Sequence, residues 1–205
     1  EVDRSIDPVA LDAYLSLLYV PPPHSIFRGI RQLPPGHTLT WQAGEVKIEK
    51  YWDIEPCPEE ERTAGEWAEE IAPILHDSIR MRMMSDVPLG AFLSGGIDSS
   101  LIVAVLSGAS DRPVETFCIG FGKEGGAYEE RPAAREVADY FATNHHEMEV
   151  SLELVKSLEP MVRGFDEPFG NPSALLTYEL SRFTREYVTV ALSGDGGDEI
   201  FGGYP

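Results

Sequence analysis

The sequence predicts an α/β fold: a parallel sheet with helices on both faces, preceded by a short helix and a β-hairpin. Three observations carry the prediction. Beyond residue 63, strand-length apolar stretches alternate with stretches of helical period. Two of the strands are nearly continuous apolar runs, as strands covered on both faces must be. Two strands also end in glycine-rich Ser-Gly loops that carry acids, one in the first and three in the second, each leading into a helix, at 94–100 and 193–199. Ligands in such sheets bind at the carboxyl ends of strands, so these loops mark the expected site.

In chain order, Asp7-Pro8 opens a helix, with an acid at the cap and proline at the first position. Leu11, Tyr14, Leu15, Leu18 and Tyr19 recur at helical spacing, and Pro21-Pro22-Pro23 ends the element. Residues 37–42 and 45–51 form a hairpin around Ala43-Gly44. His24 and His37 have no acidic or cysteine partner at ligand spacing and are given structural roles. Acids crowd residues 53–70, and with Pro56 and Pro58 this reads as a solvated linker. The chain therefore divides into residues 1–62 and 63–205.

Thr63 to Glu66 is a capping box opening a long helix with Ile71, Ile74, Leu75, Ile79 and Met83 inward. Pro73 is expected to kink or split it near Glu70. Strands are expected up to Leu93, at 114–121, 145–150 and 188–192. Helices are expected over the apolar run 101–106, at 129–141 (Ala133, Val137 and Tyr140 inward), 152–165 (Leu154, Val155, Leu158, Met161 and Val162 inward) and 177–185.

A chain of 205 residues holds one sizeable core with room for an appended piece. The net charge of −19 argues against nucleic acid and against an anionic membrane surface. Any nucleotide site must be a local pocket working against that field. Cys57 and Cys118 give no disulfide framework, and no stretch has the length of a membrane span, so a cytoplasmic location is expected. The chain starts at Glu1 without methionine and stops after a Gly-rich motif, so an excised portion of a longer protein is expected.

The first loop, Ser94-Gly95-Gly96-Ile97-Asp98-Ser99-Ser100, has the parts of a phosphate cradle. Glycines let backbone N–H groups close on an anion, hydroxyls donate further bonds, and a helix start adds its positive end. Asp98 would repel phosphate unless a divalent cation lies between them, which points to a magnesium–nucleotide site. The loop lacks the lysine of the Walker motif. Its S-G-G-x-D-S-S pattern instead resembles the pyrophosphate loop of the ATP pyrophosphatases, with their adenine nucleotide alpha hydrolase-like fold. The second loop, Ser193-Gly194-Asp195-Gly196-Gly197-Asp198-Glu199, echoes the first and would face it across a cleft.

These two loops, the Ile200-Phe201-Gly202-Gly203-Tyr204 run and Asp166-Glu167-Pro168-Phe169 together resemble the synthetase domain of the glutamine-dependent asparagine synthetase family. Residues 30–37 (I-R-Q-L-P-P-G-H), with Tyr51-Trp52, are similar to that family's connector from the glutaminase domain. The resemblance implies a carbon–nitrogen ligase using ATP and Mg²⁺, with aspartate or another small carboxylate as acceptor. Ammonia would come from a glutaminase domain absent here, and a homodimer of the full-length protein is a further possibility it raises. Residue by residue, it implies that Ser94, Gly95, Gly96, Asp98, Ser99 and Ser100 hold the ATP phosphates. Asp98 and Asp198 would meet the magnesium–pyrophosphate, and Leu93, Ile119, Ser193 and Gly194 would line the adenosine pocket. Asp98 and Asp195 are the catalytic candidates. Asp195 stands where relatives carry a glutamate thought to act as base toward the ammonium nucleophile, one methylene longer. The Asp166–Phe169 segment and Ser173 are open between a substrate-side and a structural role, and His145 and His146 are expected to pack. Two alternatives stay open: a related amidotransferase or cyclase acting on another carboxylate, and a non-catalytic nucleotide-binding module. The GMP and NAD synthetases share the first loop but fit the second loop and the connector poorly.

Overall fold

The computed structural model describes residues 3–55, 60–122, 126, 129–150 and 152–204, with 152–154 by backbone alone. Pro56, Cys57 and Pro58 of the expected linker lie outside the described residues. Residues Glu1–Glu61 with Leu158–Ala174 form one compact unit, and Arg62–Ser157 with Leu175–Pro205 form a second.

In the first unit, α1 (Pro8–Leu17) starts as the sequence indicates: the Asp7 carboxylate accepts from Val9 N at 2.9 Å. It stops at Leu18, which adopts the left-handed conformation, before the prolines are reached. Ala10, Val20 and Ile26 are buried together, with Tyr14 and Phe27 against them. Of the residues at helical spacing, Leu11, Leu15, Leu18 and Tyr19 are exposed. Strands β1 (His37–Gln42) and β2 (Glu45–Lys50) pair antiparallel across Ala43-Gly44. Both turn residues have positive φ, 51° and 89°, the geometry that a two-residue hairpin matched to strand twist requires. His37 Nδ1 bonds the Pro35 carbonyl at 2.7 Å, consistent with a structural role.

The stretch expected as one helix over 152–165 is two elements: a 3-10 segment, Leu152–Ser157, and α5 (Leu158–Phe165). Pro160 explains the break. It has no N–H to give Lys156 and its ring crowds that carbonyl, yet it suits a first helical turn. Met161 is buried as expected, but Val155, Leu158 and Val162 are exposed. The Asp166–Phe169 segment is tied to the N-terminal residues of its own unit. Gln32 Nε2 donates to Glu167 Oε2 at 3.0 Å, and Gly170 N donates to the Leu18 carbonyl at 2.8 Å.

The second unit is the predicted sheet. Helix α2 (Ala64–Arg82) opens on the full capping box, with Thr63 and Glu66 bonding each other's backbone N–H groups. It runs unsplit through Pro73. The lost hydrogen bond is offset by eighteen other helical residues and by Ile79, which is buried in the core. Ile74, expected inward, is exposed. Strands β3 (Leu89–Phe92), β4 (Glu115–Gly120), β5 (Asn144–Glu149) and β6 (Val190–Leu192) are all parallel, in the order β5-β4-β3-β6. Helices α3 (Ile97–Ala109) and α4 (Arg131–Tyr140) cover one face, where Ala91, Leu93 and Cys118 meet Val103, Leu106, Ala134 and Ala138. Because side chains alternate across a strand, Phe117 points to the other face. There it packs against Phe183 of α6 (Ser173–Thr184) and against Tyr187. On α4 the buried residues are Ala134 and Ala138; Ala133 and Tyr140, expected inward, are exposed. Helix α6 begins four residues earlier than the sequence suggested, because the Asn171 carboxamide accepts from Ser173 N at 2.8 Å. Among the described residues, no helix is long and apolar enough to cross a membrane.

Candidate functional site

The strand order decides where the two Ser-Gly loops lie. Residues β3 and β6 are hydrogen-bonded neighbours running the same way, so the loops that leave their carboxyl ends emerge side by side. They touch. A Cβ placed on Gly194 would fall 3.0 Å from Asp98 Cβ, and one placed on Gly197 would fall 2.6 Å from Asp98 Cγ. Both glycines are thus required by the Asp98 side chain of the opposite loop. Gly196 between them has φ 94°, which opens α7 (Gly197–Phe201) from the left-handed region.

The first loop is held by its own hydroxyls. Ser99, buried, accepts from Ser94 N at 3.2 Å, donates to the Gly96 carbonyl at 3.2 Å and lies 3.0 Å from Ser94 Oγ. Ser99 is therefore a staple that shapes the loop. Ser94 Oγ accepts from Gly96 N at 3.2 Å. Ser100 Oγ is buried without a hydrogen-bond partner among the described residues. Helix α3 starts on Gly96 with no side-chain cap, so its first N–H groups are open to an anion. Gly95, at φ 82°, presses on α4: its Cβ would fall 2.6 Å from Ala133 Cβ and 2.7 Å from Ala134 N.

Beside the second loop opens a cleft of about 280 Å³, lined by Ser193, Gly194 and Asp195 together with Ser78 and Arg82 of α2 and apolar residues of α3, β6 and α7; of the first loop only Asp98 lines it. A larger cavity, about 420 Å³, lies near Met83, Arg112 and Tyr187 at the amino ends of the strands. Carboxyl ends, not amino ends, carry ligands in parallel sheets, so the smaller cleft is the candidate site. Arg82 and Ser78 were not singled out in the sequence. Their i,i+4 spacing was the available signal, and Arg82 donates to Ser78 Oγ at 2.7 Å.

Among the described residues, the Asp98 carboxylate has no hydrogen bond or ion pair. The Asp195 carboxylate accepts from Ser193 Oγ at 2.9 Å, while the Asp198 carboxylate abuts Gly203, past the end of α7, and does not line the cleft. No group of three or more metal-ligating side chains occurs among the described residues. Two carboxylates suffice for a magnesium ion that takes its other ligands from phosphate and water. Leu93 is 1 % exposed with its side chain in the core, so any contact it makes with a base comes from its backbone. Ile119 is partly buried at the end of β4.

Beside Ile119 stands a bracket that the sequence reading missed. Arg131 Nε donates to Glu129 Oε1 at 2.7 Å, and its Nη2 donates to Glu129 Oε2 and to Glu149 Oε2, each at 3.1 Å. Phe121 N also donates to Glu129 Oε2 at 3.0 Å. The Arg131 hydrogen bonds hold the Glu129 carboxyl at about 2, well below its ordinary 4.5. A carboxyl depressed in the folded state stabilises fully above its unfolded pKa and loses that contribution as the proton binds. Acid titration followed by circular dichroism is therefore expected to show stability falling between about 4.5 and about 2, with a shallower fall in Arg131→Met. Equal slopes in the two proteins would contradict this.

The histidines pack, as expected. His145 Nδ1 lies 2.9 Å from Thr116 Oγ1, and His146 stacks on Phe117 with Nε2 2.6 Å from Glu115 Oε2. Cys118 is no nucleophile, since burial, with Glu130 adding to it, pushes its thiol up to about 12.

Residues 70–205 match the asparagine synthase family, two thirds of the chain. The chain belongs to that family. Residues 1–52 match the glutamine amidotransferase domain. A relative from Methanocaldococcus jannaschii, named "Putative asparagine synthetase (glutamine-hydrolyzing) 2", is 38% identical over 98% of this chain and 39% of its own length. Asparagine synthetase (glutamine-hydrolyzing) 1 of Bacillus subtilis is 35% identical over 98% of this chain and 32% of its own length. The chain thus spans about a third to two fifths of these relatives. For an asparagine synthase family member, the paired Ser-Gly loops and the sheet that carries them fall within the matched residues.

Proposed function

We infer that the cleft where the two loops meet is the adenylating site of an ATP-dependent amide ligase of the glutamine-dependent asparagine synthetase type. The observation that carries this reading is the seating of Asp98 against Gly194 and Gly197. It joins an uncapped helix start and a carboxylate with no protein partner in one cleft. The donor set suits ATP as substrate. The N–H groups of Gly95 and the first turn of α3, with Ser94 Oγ, would bind the phosphates, the buried Ser100 Oγ and the Gly96 N–H joining them only if the loop rearranges, while Ile119 and the backbones of Leu93, Ser193 and Gly194 would receive the adenosine. Asp98 and Asp198 would hold Mg²⁺, which supplies positive charge against the phosphate oxygens when bound.

In this reading the side-chain carboxylate of aspartate attacks the α-phosphorus, pyrophosphate departs, and ammonia displaces AMP from the acyl-adenylate to give asparagine. The fixed N–H groups aim at the charge that develops as pyrophosphate leaves, so they act most strongly in the transition state. Asp195, which lines the cleft and accepts from Ser193 Oγ, would take a proton from the incoming nitrogen. The enzyme would work in the cytoplasm with ammonia delivered by a glutaminase domain.

Aspartate-dependent exchange of pyrophosphate into ATP, run against a panel of other small carboxylates, tests the reading. Exchange with aspartate alone supports it, exchange with another acid moves the substrate, and none with any acid removes the adenylating function. Asp195→Ala is expected to keep exchange near the wild-type rate and to lose about a hundredfold in amide formation. Equal retention of both would take Asp195 out of the reaction.

A further inference from the structure

We propose that Arg131 is a positioning residue for the nucleotide, holding both walls of its pocket through the Glu129–Arg131–Glu149 bracket. The inference rests on the ATP reading above. It starts from two glycines at the exit of β4 whose missing side chains leave room for the bracket. A Cβ on Gly120 would fall against the Glu129 carboxylate and Arg131 Nε, and 2.8 Å from Arg131 Cδ. A Cβ on Gly122, at φ 65°, would fall 2.6 Å from Glu149 Oε1. The strand exit therefore packs directly on the bracket, and Ile119, the expected base wall, is the residue before Gly120.

The second wall is reached through α4. Arg131 is the first residue of that helix, and its backbone N–H also points to Glu129 Oε1 at 3.3 Å. Two and three residues on, Ala133 and Ala134 form the surface against which Gly95 is pressed. The bracket thus fixes the helix turn that backs the phosphate loop and the strand end that carries Ile119. Its members have the protection this needs: the Arg131 and Glu129 side chains are 20% and 16% exposed, with Glu149 at 63% closing the outer side. All the guanidinium hydrogen bonds described go to Glu129 and Glu149, so Arg131 acts through the backbone it holds, not by contact with the nucleotide.

The test is the KM for ATP and the kcat of pyrophosphate exchange in the full-length protein, for wild type, Arg131→Met, Arg131→Lys and Glu149→Gln. Arg131→Met is expected to raise the KM for ATP about tenfold, with kcat and the KM for the carboxylate within about twofold. Lysine keeps the charge but loses the planar fork, so Arg131→Lys restores only part of the loss. Should Arg131→Met fail to fold, Glu149→Gln removes only the outer contact and is expected to raise the KM for ATP about threefold. A KM for ATP unchanged in Glu149→Gln and in the folded Arg131 variants, or a fall in kcat with KM constant, overturns the inference and leaves the ATP reading standing. Wild-type protein without ATP-dependent exchange overturns both.

Discussion

Asp98→Asn is expected to lower ATP-dependent pyrophosphate release by about a hundredfold or more while leaving the fold intact. Asparagine has the size of aspartate, so the contacts with Gly194 and Gly197 survive and the two loops stay in register. What disappears is the charge. In the proposed site, within a chain of net charge −19, the Asp98 carboxylate would be tolerated beside phosphates as a ligand for a cation, and its loss would weaken the hold on that ion. Stopped-time release of pyrophosphate over a magnesium titration measures the effect, with thermal denaturation as the control for folding. A wild-type rate with unchanged magnesium dependence would sink the assignment of Asp98.

Gly197→Ala is the second large effect, and here two terms oppose each other. Gly197 is the first residue of α7, where alanine is the better helix former by up to about 1 kcal/mol. The added methyl would lie 2.6 Å from Asp98 Cγ and 2.8 Å from Oδ2, inside van der Waals contact. Relieving that overlap means moving Asp98 or parting the loops, a cost of about 1–3 kcal/mol by analogy with overpacked cores. The steric term wins, and it falls on the site itself. ATP–magnesium affinity measured by calorimetry is expected to drop about tenfold or more, the scale of a displaced phosphate ligand. Gly108→Ala in α3, where a Cβ meets nothing within 4 Å, is the matched control and should bind as wild type. Undiminished affinity in Gly197→Ala would mean that the loops do not need their observed contact.

The two loops and their juxtaposition were legible because strand, glycine turn and helix start are local patterns, and because the rule for ligand position in parallel sheets is general. The capping box at Thr63 and the hairpin turn at Ala43-Gly44 were legible for the same reason. Periodicity failed where it had to supply a partner. It correctly groups Leu158 and Val162 with Met161, or Tyr140 with Val137, but whether such a face is covered depends on elements distant in sequence. Pro160 was the missed local signal, a first-turn residue that divides what the apolar pattern joins. The Arg131 bracket was hidden differently. Its acids and arginine look like a solvated helix start, and only Gly120 and Gly122 at a strand exit hinted that side chains must approach the backbone there.

The pairing of β3 with β6 also sets the order in which the protein can become competent. Leu89 lies opposite Val190, about a hundred residues further along the chain, whereas β3 with β4 and β4 with β5 join segments much nearer one another. Loop-closure entropy is expected to make this distant pairing the slowest of the three to form. Gly194 and Gly197 reach Asp98 only after that closure. A chain refolding from denaturant is therefore expected to assemble its first Ser-Gly loop early and its cleft late. Under the proposed function, a lag between sheet formation and nucleotide binding would measure the arrival of β6.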